Sequence, residues 1–87
     1  MENNTLTVNV FDLKSGLITY EKVNYIRITS KDYNLLIMLD YIPIIGELQG
    51  KVDIKLEDKE IHLNNIIASY MNSNNVFNLM IQGELHD

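Results

Sequence analysis

The chain has 87 residues, no cysteine, 46% hydrophobic residues and a formal net charge of -5. Those values fit one domain over residues 1–87 whose stability comes from packing, and they exclude a disulfide framework, a zinc–thiolate cluster and a disordered chain. The acidic balance, with 7 Lys and Arg spread along the chain, excludes nonspecific binding to nucleic acid or to an anionic membrane surface and directs attention to protein partners.

The amino terminus, MENNTLTVNV, lacks the basic head, apolar run and small-residue cleavage site of a signal peptide, so a cytoplasmic location is expected. In TLTVNVF, residues 5–11, Leu6, Val8 and Val10 alternate with Thr5, Thr7 and Asn9, the period of a half-buried strand. DLKSG then supplies a turn at Gly16. LITYEKVNYIRIT continues as strand, with Ile26 and Ile28 in phase and Val23 out of it. A bulge near Asn24 restores the phase.

After the turn SKDYN, the run LLIML, residues 35–39, predicts a short strand buried on both faces or passing under a loop. The apolar stretch continues to Gly50, but Asp40, Pro43, Gly46 and Glu47 interrupt it, so it is too short and too broken to span a membrane. DYIPIIGEL admits one helical turn capped by Asp40. Pro43 and Gly46 exclude a long helix there.

KVDIKLE gives the cleanest alternation, with Val52, Ile54 and Leu56 facing inward and Lys51, Asp53, Lys55 and Glu57 outward. EDKE is a hairpin turn, and Ile61 and Leu63 regain the inward face. IIASYM, the turn NSNN and VFNLMIQ repeat the hairpin, with Phe77, Leu79 and Ile81 in phase; GELHD frays at the end. The expected architecture is all-β, a small two-sheet β-sandwich of about eight to ten short strands.

Catalytic chemistry finds little purchase in this sequence. Ser15, Ser30, Ser69 and Ser73 stand in no nucleophile elbow, and the scattered glycines precede no Gly-Lys-Ser/Thr. His62, on the polar face of a hairpin, and His86, in the tail, read as solvated residues rather than metal ligands. Asp53, Glu57, Asp58 and Glu60 lack calcium-loop spacing and interleave with Lys51, Lys55 and Lys59 as a wet strand face. No enzyme activity, cofactor or metal is expected. Five tyrosines without basic neighbours suit core edges and protein interfaces better than base stacking, and Tyr33 and Tyr41, placed in loops, are the better interface candidates.

The order of these features resembles the amino-terminal β-sandwich domain of the epsilon subunit of F-type ATP synthases. Ile37 and Met38 fall on that family's Ile-Leu pair, Pro43 on its second proline, Ile44 and Ile45 on its Leu-Leu, and LQGKVDI on the strand that follows. IIASYMNSNNVFNLMI is similar to its closing hairpin. Tyr33 and Leu36 replace two family glycines, Leu39 and Asp40 its Pro-Gly, and Tyr41 its histidine; no paired glycines precede Tyr70.

The resemblance implies a noncatalytic central-stalk subunit that clamps the foot of a gamma subunit and, in an ordinary synthase, couples it to the membrane rotor ring. It implies that Tyr33 and Asn34 face the ring and that Asp12, Asp40 and Tyr41 lie towards gamma. That family also carries a carboxy-terminal helical hairpin, and a chain ending at Asp87 implies its absence. The changed signature admits an F1-like ATPase put to another use, such as motility, and an unrelated β-sandwich adaptor stands as the alternative.

Overall fold

The computed structural model describes residues 5–85. Within them seven strands form one mixed sheet: β1 (Leu6–Asp12), β2 (Gly16–Val23), β3 (Tyr25–Ser30), β4 (Asn34–Ile37), β5 (Ile44–Lys55), β6 (Glu60–Ser73) and β7 (Val76–Glu84). The order across the sheet is β2-β1-β7-β6-β5-β3-β4. β1 and β7 run parallel, and every other neighbouring pair is antiparallel.

The all-β class holds, while the strand count is seven rather than eight to ten and the ladder is continuous rather than split between two sheets. The segments IHLN and IIASYM, expected as separate strands, are one strand, β6. An irregularity joins them. Gly50 pairs with Ile66 and Val52 with Leu63, so β6 carries one residue more than β5 across this step. Asn65 takes a φ of 57°, as a bulge residue that tolerates the left-handed region. The half-buried side chains of β6 are odd-numbered before the bulge, Ile61 and Leu63, and the buried ones after it are even-numbered, Ile66, Ala68 and Tyr70.

At the same level the neighbouring strand needs a glycine. A Cβ on Gly50 would stand 2.0 Å from the Thr29 carbonyl oxygen, so β3 and β5 come this close only because position 50 has no side chain. The sheet folds over here. Leu6, Val8 and Val10 of β1 share one core with Ile26 and Ile28 of β3 and Ile37 of β4, though these strands lie far apart in the ladder order. Val52, Ile54, Phe77 and Leu79 complete that core as their alternation predicts.

Other expectations are corrected in detail. The bulge expected near Asn24 lies at residues 21–22, where β2 carries the extra residue and Lys22 has a φ of 61°. LLIML is an edge strand ending at Ile37, the one buried residue of β4, because the ladder stops there. No helical turn forms at DYIPIIGEL: a turn closed by Tyr41 N–H to Met38 O (3.1 Å), with Asp40 at a φ of 64°, leads through Pro43 straight into β5. Gly83 and Glu84 belong to β7, and Leu85 N–H bonds Asn65 O at 2.8 Å, so GELHD is ordered up to Leu85; His86 lies outside the described residues.

Asp53 is buried, at 7% exposure, rather than outward in water. His62, directly opposite it in the ladder, covers it and bonds its carboxylate at 2.7 Å. The other buried polar side chain, Asn72, is 1% exposed, and neither atom of its amide meets a partner. It lies between Ile44 and Phe77 in the register. A buried amide without hydrogen bonds costs about 1–3 kcal/mol, and leucine has the same branching. Asn72→Leu is therefore expected to raise the unfolding free energy by about 1–3 kcal/mol in urea titrations, with an unchanged m-value.

Candidate protein-binding surface

Strand alternation sends one set of side chains into the core and the other outward, and on the β2-β1-β7-β6-β5 part of the sheet the outward set is unusually apolar. Phe11, Leu17, Ile45, Met71 and Met80 are all exposed, Ile45 at 76% and Leu17 at 63%. The register brings them together: Leu17 stands opposite Phe11, Phe11 opposite Met80, and Met71 opposite Ile45. They line a shallow groove of about 340 Å³. Two of the five are methionines, whose flexible thioethers adapt to an incoming surface.

A short polar ladder crosses this face. Thr19 Oγ1 donates to Asn9 Oδ1 at 2.8 Å, and Asn9 Nδ2 donates to Asn78 Oδ1 at 2.9 Å. These two bonds link the three side chains across β2, β1 and β7. Part of the polar capacity of the face is thus already paired, which lowers the cost of drying it against a partner.

Of the residues singled out from the sequence, Asp12 and Asp40 fall at its margins. Asp12 ends β1 and accepts a hydrogen bond from the Lys14 N–H at 3.1 Å, holding the β1–β2 turn. Asp40 lies at the other end of β1: its N–H donates to Asn75 Oδ1 at 2.6 Å, its Oδ1 accepts from Asn75 Nδ2 at 3.2 Å, and the Asn75 carbonyl accepts from the Thr7 N–H at 3.0 Å. Asn75 belongs to a two-residue turn in which Asn74 and Asn75 have φ values of 54° and 65°, the signature of a type I′ hairpin. Asn34 is exposed at the start of β4. Asp12 and Asp40 therefore bracket the face, and Asn34 stands apart at the edge strand.

Tyr33 and Tyr41 gather near Tyr70. The Tyr33 hydroxyl donates to the Glu47 carbonyl oxygen and accepts from the Tyr70 hydroxyl at 2.9 Å. Tyr70 also stacks on Phe77, with ring centroids 5.7 Å apart. A Cβ on Gly46 would stand 2.5 Å from the Tyr70 hydroxyl oxygen, so the ring occupies space that only glycine leaves open. The hydroxyl of Tyr33 is spent inside the protein, and its ring and that of Tyr41 are half-buried against the core.

Phe11, Leu17, Ile45, Met71 and Met80 escaped the reading of the sequence. The signal was present, because Phe11 follows Val10 out of phase with the inward set, and Met71 and Met80 occupy the wet positions next to Tyr70 and Leu79. His62, paired through Nδ1 with Asp53 and 3.5 Å through Nε2 from Glu60, meets two carboxylates. Among the described residues no cluster of three metal-ligating side chains forms. No helix there is long and apolar enough to cross a membrane.

No family model matches this chain, and no curated protein sequence does either. A solved structure does. A chain of the cryo-EM structure of the Tetrahymena thermophila mitochondrial ATP synthase central stalk/c-ring superposes with a TM-score of 0.74 over 94% of this chain, at 9% identity. The match spans 66% of that chain's length. At such identity the likeness is one of fold: this all-β domain has the fold of a chain in a rotary ATP synthase's central stalk and c-ring assembly.

Burial first, and then the hydrogen bond with Tyr33, hold the Tyr70 phenol well above its ordinary pKa of 10. Below pH 10 folded and unfolded states both carry a neutral phenol, whereas above it the unfolded state loses its proton first and is favoured. Urea midpoints of the native protein are expected to fall as the pH climbs past 10, and those of Tyr70→Phe to fall less steeply. Equal slopes would remove Tyr70 from this role.

Proposed function

We propose that the chain is an epsilon-type, noncatalytic central-stalk subunit of an F1 or F1-like rotary ATPase, seated by its outward apolar face on the foot of a gamma-type subunit. The fold shared along 94% of the chain with a component of a central stalk/c-ring structure carries this reading. The face of Phe11, Leu17, Met71, Met80 and Ile45 supports it, since contiguous exposed apolar surface marks a protein interface.

In this arrangement Asp12 and Asp40, at the two ends of the face, and Tyr41 beside Asp40 lie towards gamma. Tyr33 and Asn34, at the β3–β4 turn, are assigned to a membrane rotor ring where one is present. The chain contributes shape and contacts, not chemistry. The location follows from the complex: cytoplasmic, and peripheral at the inner face of the cell membrane. The same seat serves a synthase and an F1-like motor adapted to motility.

Affinity purification of the tagged chain from its own cells is expected to bring down alpha-, beta- and gamma-type subunits. A charge placed on an apolar interface core costs about 2 kcal/mol or more. Phe11→Asp and Met80→Asp should each weaken that association by about tenfold or more while leaving the circular-dichroism spectrum unchanged. A stable monomer that joins no ATPase, or a different partner held through this face, would favour the adaptor instead.

A further inference from the structure

The β5–β6 ladder runs along all of β5, from Ile44 to Lys55, but the β3–β5 ladder stops at Gly50. Residues 44–49 therefore have a strand on one side only. Backbone groups of successive residues point to opposite sides of a strand. Gln49 faces the open side: its N–H donates to Ser30 Oγ at 3.0 Å, and its carbonyl accepts from the Lys31 N–H at 3.0 Å. Glu47 faces it too, with its carbonyl held by Tyr33.

The same alternation turns the Glu47 N–H and both backbone groups of Ile45 to the open side. None of the turn, loop or side-chain hydrogen bonds among the described residues reaches them. Pro43, next in the series, has no N–H and closes the edge below, while Tyr33 closes it above. What is left is a three-residue window with three groups that no hydrogen bond among the described residues reaches. Such an edge is a template for an added strand.

The side chains at the window define what that strand carries. Ile45, 76% exposed beside Met71, presents an apolar outward surface, and Glu47 is exposed on the same face. Gly46 between them points inward beneath Tyr70 and leaves room for a small residue only. We propose that residues 45–47 are a strand-addition site for an extended segment of a partner protein, antiparallel to β5. That segment places Lys or Arg opposite Glu47, a small residue opposite Gly46, and Val or Ile opposite Ile45. Opposite charge directly across the pair fixes the register. This site lies at the margin of the apolar face, and it stands whether or not the partner on that face is gamma.

The probe is the blocked peptide acetyl-Thr-Lys-Ser-Val-Thr-amide, titrated to millimolar concentration into the 15N-labelled full chain. Shifts are expected at Ile45, Glu47 and Met71, with slowed amide exchange at Ile45 and Glu47. Glu47→Gln should weaken binding about two- to fivefold, as should glutamate in place of the peptide's lysine. Glu47→Pro, which deletes the outward N–H, should abolish it with the β1, β6 and β7 amide pattern native. If that variant fails to fold, a peptide N-methylated at its valine, which cannot donate to the Ile45 carbonyl, makes the same test. No shifts at millimolar peptide, or shifts confined to Phe11, Leu17 and Met80, would overturn the proposal. So would concentration-dependent shifts at residues 45–47 without peptide, which make the occupant a second copy of the chain.

Discussion

A flat sheet of seven strands with one apolar face leaves that face in water, and with no helix among the described residues to cover it the sheet has to cover itself. The fold therefore depends on the bend at Gly50 and the β6 bulge beside it. At Gly50 the β5 backbone passes so close to the Thr29 carbonyl that a methyl group has no place. Across the ladder β6 lengthens by one residue at Asn64–Asn65, which turns the strand without breaking it. Both devices act at one level of the sheet. Their joint effect is that Leu6 and Val8 from one end and Ile26 and Ile37 from the other reach zero exposure in a common core.

The bend has a cost at the lower end of β5. β3 turns away with Ser30, so residues 44–49 are left with half a ladder. Side chains make good part of the loss, with Ser30 Oγ on the Gln49 N–H and the Tyr33 hydroxyl, backed by Tyr70, on the Glu47 carbonyl, while the Glu47 N–H and the Ile45 backbone groups stay open. Gly46 is what lets the Tyr70 ring lie flat under the strand and stack on Phe77. The Asp40–Asn75 pair then ties the returning loop to the β6–β7 turn, and the Asn75 carbonyl ties that turn to β1. The outward apolar face begins beside these contacts, with Ile45 next to Gly46 and Met71 next to Tyr70.

The strands with uninterrupted alternation were legible in the sequence. β1, the second half of β5 and β7 as far as Ile81 each bury the residues that their period selects, because a strand has one phase until a bulge interrupts it, which in β7 comes only at Gln82. β6 was not legible as one strand, since its phase changes inside an apolar run and two asparagines carry the change. Asn65 in the left-handed region reads as a turn residue until the register shows that it is a bulge. β4 misled for a different reason: Leu35, Leu36 and Met38 are apolar, yet the strand is an edge, and periodicity does not report how many neighbours a strand has. Asp53 looked solvated because its cover, His62, comes from the next strand.

The outward face escaped for the reason that makes it informative. Reading a strand for its core means assigning the more apolar phase inward, and Phe11, Met71 and Met80 then look like exceptions on the wet phase of strands whose other phase is more apolar still. Only the ladder shows that these exceptions are neighbours. A solvated face gains nothing from such residues, and they raise the risk of aggregation. The Thr19–Asn9–Asn78 ladder bonds polar side chains of this face to one another. The fold persists at 9% identity because it needs only the period, the bend and a few glycines and asparagines, all of which many sequences supply. On the reading proposed above the face has less freedom, since its residues then match another surface, and of the residues that differ from the epsilon pattern Asp40 lies at its margin while Tyr33 and Tyr41 pack against the core. A scaffold held by pattern leaves the residues at the rim of its outward face free to change without loss of the fold.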